Sequence, residues 1–290
     1  MTGTGAPTDG ELVLLASGPG RQDLTPRITS VIAARGGAVL RCEQVTTAGE
    51  EAALHFRAVV RFPEHPEDLE GLRAALAEAL PAEVTWRLVD RSVRKRMVVL
   101  ASRSDHCLLE LLWRHRRQEL AVDIPLVISN HRDVQAGVEF FGIPFVHVPS
   151  GREDKTVSET RILELIRDTA DVVVLARYMQ VLSEDFLEAL GVPVINIHHS
   201  FLPAFVGAAP YRRAWERGVK LIGATAHYVT PELDAGPIIE QDVARIDHTF
   251  SADALRERGA YVERAVLSRA VEAHLEDRVL REGNRTIVFP

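Results

Sequence analysis

Five short runs rich in Val, Ile and Leu, at 97–101, 125–129, 144–149, 171–176 and 193–197, are each separated from the next by a stretch with helical spacing. Strands that read as continuous apolar runs are buried on both faces. Their alternation with helices predicts a mostly parallel, doubly wound α/β sheet. Ligands on such sheets sit beyond the carboxyl ends of the strands. Attention therefore falls on 102–107, Asn130-His131, 177–180 and 196–200.

The segment before these runs follows another pattern. Residues 11–17 read as a strand, and Leu24, Ile28, Val31, Ile32 and Ala33 form a helical face that Gly36-Gly37 stops. Strands follow at 38–47 and 55–62. A helix over 67–79 carries Leu69, Leu72, Leu76 and Leu80 between Pro66 and Pro81, and a strand at 85–89 closes the set. The order βαββαβ predicts a ferredoxin-like unit over 11–90. Residues 91–96, with four cations in six positions, read as a solvated linker, which leaves 97–290 as the second domain.

Composition narrows the function. A net charge of −7 argues against a general nucleic-acid binder, and 6% aromatics give little for bases to stack on. No apolar run reaches the ~18 residues of a membrane span. The first ten residues lack a basic region and an apolar core, so they read as a frayed tail and not a signal peptide. Two cysteines, Cys42 and Cys107, fit a reducing, cytoplasmic setting.

Residues 194–207 (VINIHHSFLPAFVG) begin as a buried strand and turn polar at its carboxyl end. Alternation puts Asn196 and His198 on one face and Ile197 and His199 on the other. A carboxamide beside an imidazole can donate two hydrogen bonds to a developing oxyanion, or both can simply cap the strand. Downstream, Asp234 precedes Ala-Gly-Pro in a constrained loop. Partial burial there would raise its pKa toward that of a useful base, although Asp also suits a turn for its own sake. A metal site from His198, His199, His227 and Asp234 is disfavoured, because adjacent strand histidines diverge and the spacing fits no standard set. No G-x-S-x-G elbow is present, and Gly18-x-Gly20 lacks the third glycine of a dinucleotide loop. His106 and Cys107 open a helix, whose N-terminus would lower the thiol pKa, yet packing or substrate contact suits them better than covalent chemistry.

Asn196-Ile197-His198, Ser200-x-Leu202-Pro203 and Leu233-Asp234-x-Gly236-Pro237 together resemble the signature of enzymes that act on 10-formyltetrahydrofolate. Longer matches resemble one branch of that family, the formyltetrahydrofolate deformylases. These are Ser129-Asn130-His131, the run 176–182 (ARYMQVL), the run 196–205 (NIHHSFLPAF) and the run 283–287 (GNRTI). The resemblance spans 11–290 and implies an N-terminal ACT domain of βαββαβ order ahead of a Rossmann-like formyltransferase domain. It implies Asn196, His198 and Asp234 as the catalytic triad. Arg177, Tyr178, Met179, Gln180, Val181 and Leu182 would line the pterin pocket, with His199, Thr230, Gly236 and the backbone of 230–234 as further substrate contacts. It implies a hydrolase that needs no metal and no cofactor, with the folate as substrate and a homo-oligomer paired through ACT domains. Transferases of the family keep a glycine-rich phosphate cradle after their first strand. Here 102–107 (SRSDHC) has no glycine and carries Asp105, which points to water as the nucleophile. The branch usually carries glycine at the first ACT turn where this chain has Asp23, so amino-acid regulation is expected to be weak or absent. Lys155, in an apparent loop, is one candidate for meeting the folate's glutamate tail.

Overall fold

The structure, a computed structural model, describes residues 10–20, 23–48, 52–63, 68–150, 154–203 and 210–290. The expected N-terminal tail, the helix start at 66–67, Arg21-Gln22 of the first turn and Ala204-Phe205 of the long motif lie outside the described residues. Two compact units are present.

The first unit has the order β1 (Glu11–Pro19), α1 (Leu24–Ala34), β2 (Ala38–Thr46), β3 (Ala53–Arg61), α2 (Leu69–Ala79) and β4 (Thr85–Asp90). Its four-stranded sheet runs β2-β3-β1-β4, with every neighbouring pair antiparallel. The period-2 rule sorts β1 cleanly. Leu12, Leu14 and Ala16 pack with Ile28 and Ile32 of α1 and Leu72 and Leu76 of α2. Val13 and Leu15 face the other side and pack with Val59 and Phe289. Asp23, at the start of α1, accepts from Arg27 Nε at 2.8 Å.

Phe289 shows where the expected boundary of 97–290 differs from the fold. Glu276–Leu280 and Ile287–Pro290 belong to the first unit. Buried Arg57 holds this return, donating from Nε to the Asp277 carbonyl at 2.8 Å and from Nη2 to the Glu276 carbonyl at 3.0 Å. The linker is also shorter than 91–96. Lys95 and Arg96 already belong to the first strand of the second unit, because Asp171 accepts from Arg96 N at 2.7 Å and pairs with its Nη2 at 2.9 Å. A charge run reads as solvated only until its counter-charge is located.

The second unit continues with β5 (Lys95–Ala101), α3 (His106–Arg116), β6 (Val122–Asp123), β7 (Val127–Ser129), α4 (Gln135–Phe140), β8 (Phe145–His147), α5 (Lys155–Ile166), β9 (Val172–Ala176), α6 (Glu184–Leu190) and β10 (Val194–His198). Then follow α7 (Pro210–Arg217), β11 (Leu221–Tyr228), β12 (Ile238–Arg245) and α8 (Ala252–Leu275), and after them the hairpin of β13 (Val279–Glu282) and β14 (Arg285–Val288), of which residues 281–286 belong to this unit. Lys155 therefore opens a helix and does not sit in a loop. The main sheet runs β12-β11-β10-β9-β5-β7-β8, with β6 paired to β5. The pairs from β10 through β8 are parallel, whereas β10-β11 and β11-β12 are antiparallel. Met97, Val98, Val99, Leu100 and Ala101 are all fully buried, as a strand covered on both faces requires. The chain passes from β8 back across β5 to β9, so a switch point opens at the carboxyl ends of β5 and β9. Gly283, at φ 57°, turns β13 into β14 in a conformation that L side chains resist.

Truncating Phe289 tests the C-terminal return. Phe289→Ala should cost about 3 kcal/mol, the usual range for a buried aromatic, read as a lower denaturation midpoint. A midpoint within experimental scatter of wild type would mean that residues 287–290 do not support the first unit.

Candidate active site

The carboxyl ends of β9 and β10 and the loop between β11 and β12 enclose a cavity of about 340 Å³. Its lining includes Arg177 through Leu182, Asn196 through His199, His227 and Thr230 through Asp234. All three expected catalytic side chains and every expected binding residue except Gly236 meet there. Gly236 has a different task. A Cβ on it would lie 1.8 Å from the Tyr228 carbonyl oxygen, so glycine allows the loop to close against β11.

Antiparallel register brings the polar groups together. Asn196 pairs with His227, and His198 pairs with Thr225. His227 Nδ1 lies 2.9 Å from the Tyr228 carbonyl oxygen, which can only accept, so Nδ1 carries the proton. Burial pushes the His227 pKa down and keeps the ring neutral. Its Nε2 is then an acceptor, and Asn196 Nδ2 donates to it at 3.3 Å. The amide is thereby oriented, with its second N–H still available. His198 donates from Nδ1 to Asp234 Oδ2 at 3.2 Å. His198 Nε2 is buried and has no hydrogen-bond partner among the described residues.

Three expectations change at this point. The Asp234 carboxyl is not raised toward neutrality. The hydrogen bond from His198 holds it below the usual carboxylate range, outweighing the opposing effect of burial. The adjacent histidines do not diverge either. β10 ends at His198, and the His199 ring stacks on it with centroids 5.3 Å apart and planes at 28°. Third, the Cys107 thiol at the start of α3 has its pKa raised, because burial overrides the helix terminus. Burial, with the Arg177 charge next in importance, lowers the His199 pKa to about 4.

The loops are braced from beneath. Ser102 Oγ donates to Asn130 Oδ1 at 2.6 Å and accepts from Met179 N at 3.1 Å, tying the ends of β5, β7 and β9 together. Thr225 Oγ1 accepts from Leu202 N at 3.0 Å and donates to the Ser200 carbonyl at 2.9 Å, which holds the turn after β10. Arg177 and Asp234 take φ values of 62° and 56°, a left-handed backbone that few non-glycine residues adopt and that clusters at functional sites. Sequence reasoning missed Glu263 and weighed His227 only as a metal ligand. His227 acquires its role only from the β10-β11 register. Glu263, buried on α8 and bonded to Tyr211 and His106, carried one faint signal: a carboxylate on a face with Val262, Val266 and Ala270.

An amide donor, an imidazole and a carboxylate set around a cavity at strand carboxyl ends form a site for attack on a carbonyl. The family described as formyl transferase matches residues 95–271, and the chain belongs to it. A formyltetrahydrofolate deformylase of Mycobacterium bovis is 50% identical over 271 residues, covering 93% of this chain and 87% of that protein. One of Bacillus subtilis is 44% identical, covering 95% and 93%. The crystal structure of a formyltetrahydrofolate deformylase from Pseudomonas syringae pv. tomato superposes with a TM-score of 0.91 at 44% identity, over 97% of this chain and 94% of that one. Within its class, the chain is a member of the formyltetrahydrofolate deformylase family.

The depressed His199 pKa makes stability depend on pH. The folded ring titrates near 4 and the free ring near 6.5, so the unfolded chain binds more protons between those values. Stability is complete above pH 6.5 and falls as pH drops toward 4, by about 3 kcal/mol from this ring. Denaturant midpoints of His199→Gln, measured across that window, should decline less than those of wild type. Parallel curves would remove His199 as the cause.

Proposed function

We propose that this protein hydrolyses 10-formyltetrahydrofolate to formate and tetrahydrofolate, and so supplies formate for purine biosynthesis and balances the one-carbon folate pool. The observation that carries this reading is the His198 side chain, with Nδ1 given to an anionic carboxylate and Nε2 buried, unpartnered and at the wall of the cavity. The oriented Asn196 amide and His198 Nε2, when protonated, donate to the formyl oxygen as it becomes an oxyanion. Asp234 Oδ2 stabilises the charged imidazole. Asp234 Oδ1 takes a proton from the attacking water, and that proton passes to N10 as the C–N bond breaks. Water supplies the second oxygen of formate and the hydrogen on N10, its other proton is released to solvent, and no cofactor or metal takes part. The pterin lies against 177–182 and the backbone of 230–234, whose donors and acceptors match the edge of its ring.

Purified protein given 10-formyltetrahydrofolate and no other acceptor should release formate. Asn196→Ala should lower kcat about 10²–10³-fold, the worth of one oxyanion donor. Asp234→Asn should lower it at least as much. Near wild-type turnover by Asp234→Asn would remove the assigned role of Asp234, and turnover that depends on an added amine would make the protein a transferase.

The first unit, in this reading, is an ACT domain through which copies of the chain pair in the cytoplasm. The support is its outermost strand, β2, which exposes Val39, Leu40 and Val45 along an unpaired edge. Among the described residues no helix is long and apolar enough to cross a membrane. Replacing Leu40 and Val45 together by Lys should shift the sedimentation mass to a smaller species. An unchanged mass would exclude this edge as the contact.

A further inference from the structure

Of the described residues lining the cavity, Arg177 alone is a lysine or arginine. Its side chain is 15% exposed, and Nε and Nη1 are buried with no hydrogen-bond partner among the described residues. Glu263 Oε2 stands 3.4 Å from Nε but forms no hydrogen bond with it. Its oxygens are taken elsewhere: Oε1 accepts from Tyr211 Oη at 2.5 Å and Oε2 from His106 Nε2 at 2.8 Å. Arg177 thus has a counter-charge close by that leaves its donors unused, and an unmade buried donor is costly. The guanidinium lies close enough to His199 to depress its pKa, and His199 stacks on His198.

Hydrolysis changes the charge in the cavity. A neutral formyl group enters, and an anion with two coplanar oxygens and no N–H or O–H donor is formed beside His198. A buried guanidinium N–H is a charge-assisted donor to such an anion. We propose that Arg177 forms a product subsite in which one buried N–H, at Nε or Nη1, donates to an oxygen of the formate carboxylate, while Glu263 is a positioning residue that holds the guanidinium without occupying those donors. The inference rests on the hydrolase reading for the identity of its ligand.

The test uses the full-length enzyme, with sodium formate as the probe at constant ionic strength. Formate should inhibit the wild type and broaden the 13C line of labelled formate in the absence of folate. Arg177→Met should raise the inhibition constant for formate about tenfold, the scale of a charge-assisted hydrogen bond. Glu263→Gln should move it the opposite way, since the competing negative charge is gone. An inhibition constant unchanged in Arg177→Met overturns the proposal. So does a raised KM with unchanged formate inhibition, which would put the substrate's own carboxylates on Arg177. If Arg177→Met does not fold, Arg177→Lys keeps the charge and loses the Nε and Nη1 donors, and it must still weaken formate binding severalfold. A wild type that releases formate but neither binds nor is inhibited by it sinks the subsite alone. A wild type that releases none without an amine sinks the hydrolase reading, while line broadening still reports on the subsite.

Discussion

The bond from His198 Nδ1 to Asp234 Oδ2 joins the end of β10 to the loop between β11 and β12, and the chemistry of the pocket follows from it. It selects which imidazole nitrogen faces the cavity. It also keeps the carboxylate ionised, so the negative charge that supports His198 is present before substrate arrives. Geometry makes it possible. β10 must end at His198, β11 must run antiparallel beside it, and the loop must close tightly enough for Asp234 to take a left-handed backbone. Gly236 permits that closure by letting its own backbone lie against the Tyr228 carbonyl.

Around this pair, burial decides charge. His227 and His199 are both driven toward neutrality, for related reasons and with different results. Neutral His227, with its proton committed to a backbone carbonyl, becomes a fixed acceptor that orients the Asn196 amide. Neutral His199 stacks on His198 without adding a competing positive charge. Beside Arg177, Glu263 keeps its negative charge despite deep burial. Desolvation alone would protonate it, but the His106 hydrogen bond and the Arg177 charge outweigh that effect. Among the described residues, the cavity lining therefore carries carboxylates at Glu232 and Asp234 and a guanidinium at Arg177 that Glu263 balances.

Much of this was legible beforehand. The apolar runs of β5 and β9 and the βαββαβ order of the first unit follow from side-chain periodicity, which is a local property. Asn196, His198 and Asp234 were identifiable from their motifs, as was the 177–182 wall. Other features were not. Residues 276–280 and 287–290 join the first unit because Arg57 and the outer face of β1 hold them, and an all-apolar strand does not reveal which of its faces needs a distant segment. Arg96 read as part of a linker, whereas it pairs with Asp171 at the start of β5.

By itself the order of residues determined the strands, the helices, the glycine-dependent turns and the identity of the groups that line the cavity, since each depends on neighbours a few positions away. Tertiary structure alone decided the protonation of those groups. Asp234 fell in pKa where its loop suggested a rise, and Cys107 rose where its helix suggested a fall. The reason is physical. A proton affinity is set by desolvation and by charges within a few ångströms, and those charges come from parts of the chain that only folding brings near.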